Sequence, residues 1–308
     1  MFAYLHQPNI NPVILPITES FAIRWYSMMY VVGFLLAYLF YKHYIKKGVI
    51  KMKLDEMGDI LFVVILGVLI GGRLGYILFY NIGYYIHNPL EIFMVWRGGM
   101  SFHGGLIFSM LAAWIYTRIK KKNFFDIADI FLIPVPIGLF FGRWGNFVNG
   151  ELWGNATDAP WGMIFNPKPE IGNPGPSLYS TSEAWVVALA RKVGLPIQPG
   201  QTQINLPRHP SQIYEMLMEG LILFTIMFLV FKLVKNKPRG LMMSIFLGGY
   251  GIARFIGENF RQPDAQLGYL FGDWFTMGML LSLPMILTGI IGIILAYKFN
   301  RRNELWGS

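Results

Sequence analysis

The sequence predicts an all-α integral membrane protein of about seven transmembrane helices, and three observations carry that expectation. Hydrophobic residues make up 54% of the 308-residue chain and charged ones only 14%, too little charge to cover so much apolar surface in water. Seven apolar runs approach the ~20 residues that cross a bilayer as a helix. Basic residues gather after alternate runs, the pattern expected of cytoplasmic loops.

Taken in order, residues 1–20 contain no Lys or Arg, so the charged start of a cleavable signal peptide is missing and the first run is expected to remain as a span. The runs fall near residues 21–41, 57–80, 102–116, 127–147, 213–231, 241–260 and 270–297. The third is short for a crossing, and the last is long enough to tilt or to begin with an interfacial turn. Lys42, Lys46, Lys47, Lys51 and Lys53 follow the first run; Arg118, Lys120, Lys121 and Lys122 the third; Lys232, Lys235, Lys237 and Arg239 the fifth; Lys298, Arg301 and Arg302 the seventh. Sixteen of the 26 basic residues therefore fall on one side. The opposite loops hold Arg97, Lys168, Arg191, Lys192, Arg208 and Arg261. This asymmetry predicts an outside N-terminus and a cytoplasmic C-terminus.

Three regions follow: spans one to four within 1–150, an extramembrane lobe over 151–210, and spans five to seven with a cytoplasmic tail over 211–308. Residues 152–210 carry nine of the 18 prolines, so the lobe should be rich in loops. Inside it, residues 182–192 read as a short helix with Ser182 as N-cap and Arg191 and Lys192 near its C-terminal end. It lies on the outer lipid surface or packs within the lobe.

The net charge of +9 does not indicate nucleic acid, because the cations sit in short clusters between apolar runs and form no continuous basic face. The chain has no cysteine, which excludes disulfides, thiolate metal sites and a cysteine nucleophile of its own. Thiol chemistry would have to use a substrate's thiol. No metal-ligand cluster is visible, and the reading calls for no cofactor.

Depth along the spans concentrates the polar side chains. Tyr26 lies near the outer start of the first run, Arg73 and Tyr76 near the outer end of the second, and His103 at the outer start of the third. Arg143, Asn146 and Glu151 close the fourth, Glu215 opens the fifth, and Arg254 and Glu258 lie in the outer half of the sixth. Ionisable groups inside membrane spans are costly and mark function. Gathered in one leaflet, these predict a blind cavity opening outward. A lipid or solute transporter is the alternative, and it should show polar residues at both depths or paired broken helices. Arg254 and Glu258, four apart, also fit a mutually neutralising pair. Arg143 has no partner at helical spacing in its own run.

The stretch Gly142-Arg143-Trp144-Gly145-Asn146-Phe147-Val148-Asn149-Gly150-Glu151, with Gly154 close behind, resembles the signature of bacterial prolipoprotein diacylglyceryl transferase. Five further blocks match that family in the same order: Ile23-Arg24-Trp25-Tyr26, Gly71-Gly72-Arg73-Leu74-Gly75-Tyr76, Met100-Ser101-Phe102-His103-Gly104-Gly105, Arg208-His209-Pro210-Ser211-Gln212-Ile213-Tyr214-Glu215, and a last block from Arg254 to Asp264. In that block Asn259 stands where an apolar or aromatic residue is expected. The resemblance covers nearly the whole chain except about residues 155–206.

The resemblance implies transfer of the diacylglyceryl group of phosphatidylglycerol to the lipobox cysteine of a prolipoprotein signal peptide, at the outer, periplasmic face of the bacterial inner membrane. A thioether forms and glycerol phosphate leaves. Such chemistry needs a base for the thiol and cations for the lipid phosphate. Arg143 and Arg254 suit the phosphate, because guanidinium offers a rigid fork of donors and stays charged beside lipid. His103 has the unperturbed pKa of a base; it serves as base or only orients lipid, and Glu151 and Glu258 are alternatives. The resemblance also places Tyr26, Asn146, Glu151 and Gly154 in the functional set. Arg73, Tyr76, Asn149, Glu215, Glu258 and Arg261 complete the expected substrate-binding set.

Overall fold

Apolar runs with at most one interior proline become long helices, the last keeping Pro284 within it, and the run that contains two prolines breaks. The computed structural model describes residues 4–18, 22–94, 99–263 and 268–307; Phe21, Arg97 and Asp264, used in the sequence reading, lie outside them. The helices are α1 (Trp25–Lys46), α2 (Leu54–Tyr80), α3 (Ile82–His87), α4 (Phe102–Ile119), α5 (Phe124–Phe131), α6 (Val135–Asn149), α7 (Ala184–Val193), α8 (Ser211–Leu233), α9 (Leu241–Glu258) and α10 (Met277–Phe299). Four of them, α1, α2, α8 and α10, are long and apolar enough to cross a membrane. The pair α5 and α6, bent by 51° at its break, makes a fifth candidate. At 18 residues each, α4 and α9 rise about 27 Å, slightly less than a hydrocarbon core.

Two differences from the sequence expectation have physical causes. The run at 127–147 is split, because Pro134 and Pro136 lack an N–H and disfavour helix in the residue before them. The run at 270–297 begins with a hairpin, Tyr269–Phe271 paired antiparallel with Phe275–Thr276, before α10 starts.

Small residues let the helices meet backbone to backbone. A Cβ on Gly104 would lie 2.2 Å from the Gly71 carbonyl oxygen, and one on Gly289 would lie 2.5 Å from the Gly248 Cα. These contacts lock α2 to α4 and α9 to α10, the way helices associate in lipid where no hydrophobic gain separates partners. Further along, α1 packs on α6 and α6 on α8. Large apolar side chains such as Phe62, Leu69 and Ile291 remain exposed along the helices, as lipid-facing positions require.

At the end where α1 stops and α2 starts, Tyr41, Ile130, Met227, Met242 and Trp306 form a buried cluster. Buried acids there are fully occupied: Arg239 donates to Asp126 at 2.6 and 2.8 Å, and the Gly240 and Met243 amides and Asn303 Nδ2 donate to Asp129.

Residues 151–210 form short strands, α7 and a separate apolar cluster of Val186, Ala190, Ile204 and Leu206. Helix α7 begins at Ala184 with Glu183 at the N-cap position. This corrects Ser182 as N-cap, since its hydroxyl is 2.8 Å from the Ser180 hydroxyl in the preceding turn. The strand Leu5–His6 runs parallel to Met163–Ile164 and ties the segment before α1 to this region.

Candidate active site

The site grows from the end of α6. Gly150 adopts a left-handed conformation, φ 64°, which a side chain would disfavour, and the Glu151 amide reaches back to the Asn146 carbonyl at 3.1 Å. This helix-ending turn folds the Glu151 side chain onto the helix. There Asn146 Nδ2 and Asn149 Nδ2 both donate to Glu151 Oε1, at 2.9 and 3.0 Å. The start of α8 is bound to the same turn: Gln212 Nε2 donates to the Glu151 carbonyl at 2.6 Å and Ser211 Oγ to the Leu152 carbonyl at 2.7 Å. Gly154 follows in an extended bridge to Arg261, where an added Cβ would lie 2.3 Å from the Phe260 carbonyl oxygen and 2.6 Å from that of His209. Its role is close approach of three backbone segments.

Helix α8 winds more loosely over Met216–Ile222, in a π-helical stretch. Such turns are rare and recur at functional sites. Glu215 stands at its start and Glu219 inside it, and both are fully buried. Burying two carboxylates is tolerable only if they are paired, and α6 and α9 supply the partners. Arg143 Nε and Nη2 donate to Glu219 Oε2 at 3.0 and 2.9 Å, and its Nη1 lies 2.8 Å from Glu215 Oε2. From α9, Arg254 Nη1 donates to Glu215 Oε1 at 3.0 Å and approaches Glu219 Oε1 at 3.7 Å. Arg254 Nη2 pairs with Glu258 one turn on, and Arg261 Nη1 lies 3.9 Å from Glu215. Thr276, at the N-cap of α10, accepts from the Met279 amide and donates to Glu258 Oε2 at 2.6 Å.

Three guanidiniums thus face three carboxylates across three helices and a loop. A guanidinium carries five N–H donors. Among the described residues, Arg143 directs three nitrogens at the two glutamates and keeps one N–H on each terminal nitrogen, and Arg254 keeps its Nε as well. An anionic oxygen entering beside them would meet fixed, charged donors in a medium poor in water.

A family model described as prolipoprotein diacylglyceryl transferase matches residues 12–295. The chain belongs to the prolipoprotein diacylglyceryl transferase family. It is 42% identical over 301 residues to the phosphatidylglycerol–prolipoprotein diacylglyceryl transferase of Francisella tularensis subsp. novicida, covering 97% of this chain and 98% of that one. The enzymes of the same name from Aliivibrio fischeri and Photobacterium profundum are each 44% identical, over 96% of this chain and 93% and 96% of theirs. These names are those of transferases, and nothing in the comparisons favours the transporter alternative.

Of the residues singled out in the transferase sequence, the structure gathers Arg143, Arg254, Arg261, Glu215 and Glu258 into one network, with Asn146, Asn149 and Glu151 as an adjoining group. Tyr26 lies against the same stretch of α6, since a Cβ on Gly145 would meet its ring at 2.8 Å; its hydroxyl is 3.1 Å from that of Tyr30. Arg73 turns away from both groups instead, donating from Nε to the Ile92 carbonyl at 2.8 Å and from Nη1 to that of Gly99 at 3.2 Å, with the Tyr85 ring 5.0 Å away. Tyr76 packs on Gly99, whose added Cβ would meet the ring at 2.6 Å. His103 is exposed in the first turn of α4, whose N-cap is Ser101.

Sequence reasoning missed Glu219, Gln212 and Thr276. The signal for Glu219 was present: a lone acid four residues after Glu215 inside an apolar run, followed by a glycine. Gly220 lets α6 approach, since a Cβ there would lie 2.6 Å from Phe140 Cβ.

Proposed function

We propose that the protein transfers the diacylglyceryl group of phosphatidylglycerol to the lipobox cysteine thiol of a prolipoprotein. The observation that carries the reading is the pair Arg143 and Arg254, held from opposite sides by Glu215 with N–H groups to spare. In the reaction the cysteine sulfur bonds to the glyceryl carbon, the bond from that carbon to the phosphate oxygen breaks, and the thiol proton passes to a base. Glycerol phosphate departs with the bonding electrons, and the two arginines stabilise the charge it gains.

Glu258 has both oxygens engaged, by Arg254 and Thr276, which leaves His103 and Glu151 as the candidates for the base. Among the described contacts only Oε1 of Glu151 is occupied, and Oε2 is open to a thiol proton. Asn146 and Asn149 orient that carboxylate. Tyr26, Arg73, Tyr76 and Arg261 are assigned to lipid binding and Gly154 to the close packing beneath it.

The chain is a bacterial membrane protein. We assign it seven crossings, with α4 and α9 completing the set, an outside N-terminus and the arginine network in the outer leaflet of the inner membrane. The 151–210 region is the periplasmic lobe. The lysine-rich turns at the far ends of the helices support this orientation.

The test is a mass shift. Purified protein, phosphatidylglycerol and a short lipobox peptide should add one diacylglyceryl unit to the peptide and release glycerol phosphate, while a cysteine-to-serine peptide stays unchanged. Absence of the shift with folded, lipid-binding protein would overturn the assignment.

A further inference from the structure

A cleft of about 470 Å³ opens at the opposite end of the helices from Arg143, where the loop between α1 and α2 meets the end of α4. Lys51, Lys53, Lys120, Glu56, Asp59 and Tyr116 line it. Glu56 is neutralised by an ion pair with Lys122, so three lysines face the single carboxylate of Asp59. Arg118, Lys121 and Lys122 border a second, adjoining cleft across the last turn of α4. Beyond the Glu56–Lys122 pair, Arg118 and Lys121 add two further cations there.

Cations at a helix end are an ordinary topology signal, and on their own they define no site. Tyr116 adds an independent feature. It is only 7% exposed, and its buried hydroxyl has no hydrogen-bond partner among the described residues. A buried hydroxyl left unpaired is costly, and this one belongs to a side chain on the cleft wall. A ligand that brought an acceptor oxygen there would satisfy it.

The surroundings say what kind of ligand. Beside the cations the surface turns apolar within one turn: Phe62, three residues after Asp59, is 62% exposed, and Ile119, next to Lys120, is 72% exposed. Arg118 lies over the Trp114 ring at 5.9 Å, an aromatic and cation pairing suited to the headgroup level. A free phosphate would use the lysines alone and gain nothing from these lipid-facing side chains. A phospholipid would use both.

We infer that this cleft binds the headgroup of an anionic glycerophospholipid from the leaflet opposite the arginine network. Lys51, Lys53 and Lys120 meet the phosphate, the Tyr116 hydroxyl donates to one of its oxygens, and Asp59 accepts from headgroup hydroxyls. The acyl chains lie along the exposed face near Phe62 and Ile119. Basic pockets at the cytoplasmic ends of membrane helices hold anionic headgroups by this combination. The site is separate from the arginine network, and its occupant is bound without being consumed.

The experiment counts lipids retained by the full chain in detergent micelles, by native mass spectrometry. Phosphatidylglycerol, phosphatidylcholine and glycerol 3-phosphate are titrated against the wild type, the triple variant Lys51→Gln/Lys53→Gln/Lys120→Gln, and Tyr116→Phe. The wild type should retain one more phosphatidylglycerol than the triple variant, whose affinity at that position should fall roughly tenfold or more. Tyr116→Phe should weaken the same lipid severalfold, phosphatidylcholine should not distinguish the proteins, and glycerol 3-phosphate should not displace the lipid at equal concentration. Transfer activity should stay within about twofold in both variants, since neither alters the arginine network. Equal phosphatidylglycerol retention by wild type and triple variant would overturn the site. Loss in the triple variant but full retention by Tyr116→Phe would reduce it to surface charge, and displacement by glycerol 3-phosphate would make it a soluble-anion site; either result refutes the lipid cleft.

Discussion

Replacing Glu219 by Gln tests whether the network positions Arg143 for the reaction. The change conserves volume and keeps a carbonyl oxygen facing α6, so packing against Phe140 should survive. It removes the charge that receives Arg143 Nε and Nη2 at 3.0 and 2.9 Å. A charge-assisted hydrogen bond exceeds a neutral one by about 1 kcal/mol. Two such bonds amount to about 2 kcal/mol, or roughly thirtyfold in kcat/KM if the orientation of Arg143 is felt mainly in the transition state. The loss should fall on kcat. The variant leaves the network one positive charge in excess, so attraction for the lipid phosphate does not weaken and KM for phosphatidylglycerol should hold or drop. Initial rates of peptide lipidation across a lipid titration measure both constants, with detergent melting curves to verify the fold. An unchanged kcat/KM, or a loss confined to KM, would refute the positioning role.

Three further outcomes follow from the geometry. Thr276→Val removes both the cap of α10 and the donor to Glu258; about 1–2 kcal/mol of stability should go with them, read as a lower melting midpoint in detergent with activity reduced less than in Glu219→Gln. Gly154→Ala places a Cβ against two carbonyl oxygens at 2.3 and 2.6 Å, and neither belongs to a flexible side chain, so yield of folded protein should collapse whereas an alanine at open Gly142 should be tolerated. Burial pulls the His209 pKa below its ordinary value, partly offset by the Asp158 carboxylate. The unfolded chain therefore takes up the proton first as pH falls, so the stability from neutral His209 is present above about pH 6.5 and is lost below it. Melting midpoints between pH 8 and pH 5 should decline more in the wild type than in His209→Gln.

The sequence made the apolar architecture legible and the polar site only half so. Hydrophobic runs report which segments prefer lipid, and the long helices occupy them to within a few residues. Pro134 and Pro136 were in plain view, but a hydropathy window averages over a break that local sterics impose. Arg143, Arg254, Glu215 and Glu258 stand out because each is a charge where charge is expensive. Glu219 is just as buried, yet its partner Arg143 lies 76 positions away, and no spacing rule along one helix can pair them. Arg73 shows the converse limit. Its place near a span end says that it is costly, but the direction of its side chain, toward the Ile92 and Gly99 carbonyls, is decided by tertiary packing. Thr276 looks like an ordinary helix cap until the fold brings Glu258 beside it.

The tie between the segment before α1 and the region beyond α6 bears on how the molecule is assembled. Gln7 Nε2 donates to the Phe147 carbonyl across 140 positions, and Lys168 Nζ to that of Ile10 across 158. The partners lie 140 and 158 positions later in the chain, so neither contact can form until the helices between them have been synthesised. The strand Leu5–His6 must therefore wait, unpaired, while several later helices enter the bilayer and residues 151–210 are delivered to the same side. Closure of the face that holds the Asn146, Asn149 and Glu151 group is thus a late event in maturation. A cross-link engineered between positions 7 and 147 would record the moment at which a nascent, inserted chain becomes a finished one.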